Sequence, residues 1–178
     1  SEASEEGGDE IVINEDTITL NTTMVVNKPV VVRGAGLRED TTLKITVKNL
    51  PVIEVDDENA VLKNVTITGS NVGYGQPNGG LTLKSGLVTN VVVKGNSASG
   101  AYAGPAAVKM SGGRVTGSLI TENKGAHAAA GSINVGGDLN NLIAGKGPEI
   151  DHCQIVNNTT LGTEGSCNGT VGLNLAYM

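Results

Sequence analysis

Four nine-residue segments of this chain align without gaps: LKNVTITGS from Leu62, VTNVVVKGN from Val88, VTGSLITEN from Val115 and IDHCQIVNN from Ile150. The first residue is always apolar. The third is Asn64, Asn90, Gly117 or His152, and the last is Ser70, Asn96, Asn123 or Asn158. The fourth and sixth are Val65 and Ile67, Val91 and Val93, Ser118 and Ile120, then Cys153 and Ile155. A second set follows in the same order, GGLTL at Leu81, AAVKM at Val108, GSINV at Ile133 and VGLNL at Leu173. Each unit holds short runs of period two between Gly and Asn turns, with no helical period. Such a unit cannot bury its own apolar face, but stacked on its neighbours it can.

The third position tests this reading. A sharp bend between two strands of one coil needs a residue that tolerates the left-handed region. Gly does so freely, and Asn and His are enriched there. Asn64, Asn90, Gly117 and His152 are therefore predicted to form a structural turn ladder, with stacked Asn side chains bonding from coil to coil. The chain has no Trp and no Phe, so Val, Ile and Leu must build the core in thin layers.

MVVNKPVVVRGAG and VIEVDDENAVLKNVTITGS resemble the opening coils of the pectate-lyase-like superfamily. GGLTLKSGLVTNVVVKGN and its copies resemble the repeats of bacterial surface β-helix proteins, including autotransporter passengers. Gly79-Gly80-Leu81 matches their Gly-Gly-hydrophobic strand. Val93-x-x-Asn96, Ile120-x-x-Asn123 and Ile155-x-x-Asn158 match their F-x-x-N element with an aliphatic residue in place of Phe. The expected fold is all-β, a single-stranded right-handed parallel β-helix (a solenoid) of about six coils and roughly 30 Å of stack. Residues 1–10 are expected to be an acidic N-terminal segment and 11–178 the β-helix domain. The resemblance implies a secreted or cell-surface protein. Its function would be non-catalytic, structural or adhesive, with self-association at the open ends and head-to-tail growth into a filament. The alternative is a carbohydrate-active β-helix enzyme, a polysaccharide lyase or hydrolase.

Charge narrows the partners. The net charge is -6, and the first sixteen residues hold seven of the 18 acids and no Lys or Arg. No basic patch with interleaved aromatics exists, which argues against nucleic acid. No apolar run approaches ~20 residues, so no membrane span is expected.

Three groups are candidates for chemistry. Asp151-His152-Cys153 sets acid, imidazole and thiol side by side. In the repeat register, though, Cys153 replaces inward Val65 and Val91, and adjacent strand residues point apart. No catalytic residue is assigned there. Asp56, Asp57 and Glu58 lie in a turn where Ca²⁺ would find oxygen ligands, against the plainer reading of a solvated turn. Tyr74, Tyr102 and His127 share a register before successive inward strand residues. They form a candidate ring column for a polysaccharide, against like-on-like stacking for stability alone. A disulfide between Cys153 and Cys167 would require an inward Cys to meet a turn Cys.

Overall fold

In the computed structural model, residues 8–76, 78–99, 103–125, 133–137, 147–160 and 173–177 are described. The turns of chain stack into a parallel β-solenoid in which three sheets hold six strands each and a fourth holds four. The first sheet contains Asp9–Ile13, Val30–Gly34, Val61–Lys63, Leu87–Thr89, Arg114–Thr116 and Glu149–Asp151. The second contains Thr17–Leu20, Thr42–Ile45, Thr66–Thr68, Val92–Lys94, Leu119–Thr121 and Gln154–Val156. The third contains Met24–Val26, Ile53–Val55, Leu81–Leu83, Val108–Met110, Ile133–Gly137 and Leu173–Tyr177. The short fourth sheet contains Asn71–Val72, Ser97–Ala98, Lys124–Gly125 and Thr159–Thr160.

Each turn visits the first and second sheets, then the fourth where it exists, then the third. The four regular turns expected from the repeat are the four that carry all four sides. About six coils were expected; four turns are regular, and the two turns before Val61 are three-sided. The first has only Asn21, Thr22 and Thr23 between its second and third strands, too few for a further strand. The first strand begins at Asp9.

Register explains the core. Leu62 pairs with Val88, Val88 with Val115 and Val115 with Ile150. On the second sheet Ile67, Val93, Ile120 and Ile155 form another inward column. On the third, Leu81, Val108 and Ile133 continue below Leu173. One continuous apolar cluster includes buried Leu62, Ile67, Val88, Val93, Leu81, Val108, Val115, Ile120 and Ile133, with Ile150 and Ile155 packed against it. Fully burying one such side chain contributes about 1.5–3 kcal/mol, so stacked aliphatic columns suffice without rings. A small second cluster, Val72, Ala98, Ala103 and Ala106, lies with the fourth sheet.

In the four regular turns the bends on either side of the second sheet lie in the left-handed region, as do Gly86 and Gly113 where the third sheet turns into the first. At the first, between the first and second sheets, φ is 57° at Asn64, 50° at Asn90, 58° at Gly117 and 49° at His152. All four of these residues thus adopt the left-handed conformation. The second bend follows the second sheet, at Gly69, Gly95, Glu122 and Asn157, with φ of 88°, 63°, 57° and 56°. Glu122 is exposed and lacks the short amide that makes this region tolerable for Asn. Replacing Glu122→Gly should therefore raise stability by about 0.5–1 kcal/mol, the relieved strain exceeding the entropy that Gly adds to the unfolded chain. A urea unfolding midpoint measures this, and a lowered midpoint would mean that Glu122 makes a contact outweighing its strain.

Candidate functional site

The last residue of the repeat proves to be a chemical column in its own right. Asn96, Asn123 and Asn158 are buried. Asn96 Nδ2 donates to Asn123 Oδ1 at 3.0 Å, and Asn123 Nδ2 donates to Asn158 Oδ1 at 2.9 Å. The side-chain oxygens also accept backbone N–H groups: Asn96 Oδ1 accepts from Ser70 N at 3.1 Å, Asn123 Oδ1 from Asn96 N at 3.1 Å, and Asn158 Oδ1 from Asn123 N at 3.0 Å. The remaining amide protons go to backbone carbonyls, those of Val93 and Thr121 in the case of Asn123. Each side chain thus supplies what a strand would otherwise supply, at a corner where the chain leaves the second sheet.

The neighbouring motif makes room for it. A Cβ on Gly80 would lie 3.0 Å from both Asn96 Nδ2 and Val93 Cγ1, and 2.5 Å from the Ala107 carbonyl oxygen. The Gly-Gly strand start and the aliphatic-x-x-Asn element are therefore two halves of one packing arrangement. The expected ladder at the first bend is shorter. Asn90 Nδ2 donates to Asn64 Oδ1 at 2.9 Å in an exposed contact. It goes no further along the column, because Gly117 has no side chain to continue it.

Asp151 and His152 stay in contact at the bend, while Cys153 faces the other way, toward the core. Asp151 accepts from the Thr116 hydroxyl and from Arg114, whose Nε lies 2.7 Å away. His152 Nδ1 is 3.0 Å from Asp151 Oδ1, with the imidazole side chain 84% exposed. The Thr116 hydroxyl first, then His152 and Arg114, hold the Asp151 carboxyl far below the usual carboxylate range. Cys153 instead packs against the core and its Sγ donates to the Val115 carbonyl at 3.6 Å. Burial pushes this thiol up, opposed by a backbone hydrogen bond at Ser118 and assisted by the Asp151 charge. A raised thiol facing away from the imidazole is no activated nucleophile. Cys153 is a free thiol, and Cys167 lies outside the described residues.

The other predicted groups fare differently. Asp56 pairs with Lys84 at 3.1 Å, while Asp57 Oδ1 accepts the Asn59 N–H at 2.8 Å within its own turn. Asp56, Asp57 and Glu58 therefore do not converge, and among the described residues no three His, Cys, Asp or Glu side chains are grouped to hold a metal ion. Tyr74 is 68% exposed. Tyr102 and His127 lie outside the described residues.

Sequence reasoning missed an open trench of about 420 Å³ where the third sheet turns into the first. Its floor is two stacked three-residue turns, Lys84-Ser85-Gly86 and Ser111-Gly112-Gly113. Glu58 stands on one side, Arg114 and Glu149 on the other. Lys84 is held by Glu54 at 2.6 Å as well as by Asp56. The signal was present as turn length, since the turn before these two is longer, Asp56 to Ala60. The lining holds two acids, Glu58 and Glu149, and two bases, Lys84 and Arg114, and both bases are engaged by further acids, so the trench presents no spare positive charge to an anionic ligand.

No protein-family model, curated protein or solved structure matches the chain. What fold and geometry define is a class, the parallel β-solenoids with a buried asparagine stack. Among the described residues no helix is long and apolar enough to cross a membrane, which says nothing of β-barrels.

The two ladders differ in their expected cost of removal. Asn123→Ala would strand the Asn96 N–H together with the Val93 and Thr121 carbonyls, and should cost about 3 kcal/mol or more. Asn90→Ala at the exposed bend should cost only about 1 kcal/mol. Paired urea denaturation curves give both values, and equal costs would contradict the assignment of the buried column as the stronger one.

Proposed function

We propose that this chain is a non-catalytic structural or adhesive β-solenoid module acting outside the cell or at its surface. Kinship with the pectate-lyase-like superfamily and with bacterial surface β-helix repeats is part of the proposal, supported by the repeat motifs. One observation carries it: the chemistry-bearing side chains of the repeat are engaged in the scaffold. Asp151 holds Arg114 and Thr116 across a rung, and the Cys153 thiol is turned to a core carbonyl. The test is incubation with a polyuronate plus Ca²⁺, followed by absorbance of unsaturated product, and with a neutral polysaccharide, followed by reducing ends. No turnover above buffer is expected with either, and clear turnover with either overturns the reading.

Self-association is the second element of the proposal. If the first turn of one copy continues the last turn of another in the same register, Ile11 falls over Ile150 and Ile18 over Ile155. Both follow from the inward columns. On the outer face the same register sets Glu10 over Glu149. Like charges directly opposite are destabilising. Salt should therefore strengthen association rather than weaken it, because it screens this repulsion more than it affects apolar contact. Sedimentation velocity across a salt series, with electron microscopy for elongated particles, checks this. Uniform monomers at every salt concentration would contradict head-to-tail growth.

The alternative, a carbohydrate-active β-helix, is supported by the trench. The Glu58 carboxylate and the Ser85 and Ser111 hydroxyls line it and suit hydrogen bonding to sugar hydroxyls. With Lys84 and Arg114 engaged by acids, it suits a neutral polysaccharide better than a polyuronate.

A further inference from the structure

The seven residues between strands Val30–Gly34 and Thr42–Ile45 do more than connect two sheets. They leave the second turn and run along the outside of the first bend. Leu37 N donates to Asp40 Oδ2 at 2.8 Å and Asp40 N returns to the Leu37 carbonyl at 3.0 Å, closing the segment on itself. Two glycines permit this course: a Cβ on Gly34 would collide with the Asn64 carbonyl, and one on Gly36 with the Asp40 carboxylate.

From there the segment reaches later turns. The Thr66 hydroxyl of the third turn donates to the Arg38 carbonyl at 2.9 Å, and Thr66 N donates to the Thr41 carbonyl at 2.8 Å. Within the segment, Arg38 Nε holds the Glu39 carboxylate at 2.8 Å. The Arg38 guanidinium then extends to the Gly117 carbonyl of the fifth turn, 79 residues along the chain, at 3.4 Å.

Burial follows that reach. Thr66 and Val92 neighbour the inward Ile67 and Val93, so their side chains face away from the core. They are nevertheless only 2% and 3% exposed. Next in the same column, Leu119 is half-buried, and Gln154 is exposed. Cover is lost where Arg38 ends.

We propose that residues 35–41 are a strap that fastens turns two to five along the outer side of the first bend, and that its release lets this side of the solenoid open. The strap makes four successive turns behave as one unit on that side. The third sheet, on another side, does not depend on it.

Hydrogen exchange of the full chain, read peptide by peptide, tests the strap. Arg38→Ala removes the reach to Gly117, and Asp40→Ala removes the closure while leaving Arg38 in place. Both should speed exchange at residues 91–92 and 117–119 by roughly tenfold, the effect of losing a charge-assisted hydrogen bond from a local opening. Strands Ile53–Val55 and Leu81–Leu83 should exchange as before. Unchanged exchange at 117–119 in both variants would overturn the proposal. So would equal acceleration in all sheets, which would mark a general loss of stability.

Discussion

The buried side-chain amide stack of Asn96, Asn123 and Asn158 is the constraint on which the rest of this solenoid depends. At that corner the chain turns from the second sheet toward the fourth, and strand pairing lapses. Backbone groups left there would face the interior unpaired, each at a cost of about 1–3 kcal/mol. The asparagines remove that cost by accepting the N–H of the preceding turn and donating to each other and to nearby carbonyls. Among the described residues no buried side-chain nitrogen or oxygen lacks a partner. Because each amide needs its neighbour one turn away, the stack also fixes register. A slip by one residue would break the stack and turn every inward Val and Ile outward.

From this follows the division of labour along the repeat. Aliphatic columns give the bulk of the stabilisation without direction, while polar columns give direction. Gly80 keeps its place because any side chain there would meet Asn96. The three-sided early turns have no counterpart of the stack: Ser70 Oγ instead donates to the Leu50 carbonyl at 2.7 Å, where the column meets the second turn. Similarity of chemistry along a column, rather than a convergent site, is what the polar residues of the four regular turns achieve.

Much of this was legible in the sequence, because the repeat exposes position-specific chemistry. The columns through Leu62 and Ile67 and the bend at Asn64, Asn90, Gly117 and His152 were read from spacing alone. Placing Cys153 in the core and separating it from His152 followed from period two. The early turns were not legible as three-sided, since the strands of residues 11–55 look like those of later coils and only linker length tells them apart. The buried ladder of Asn96, Asn123 and Asn158 was not anticipated, because sequence shows where Asn recurs but not whether water reaches it. The strap and the trench were missed for a related reason. Arg38 reaches Gly117, and Lys84 stands near Arg114, only because stacking brings residues 27 or more positions apart onto one edge. Neither has a local signature.

Nuclear magnetic resonance of the side-chain amides tests the central claim most directly. The Nδ2 protons of Asn96 and Asn123 should exchange slowly with solvent. They should also show through-space contacts from Asn96 to Asn123 and from Asn123 to Asn158, pairs separated by 27 and 35 residues. Rapid exchange, with no contact between these side chains, would contradict the buried stack and the parallel register built on it.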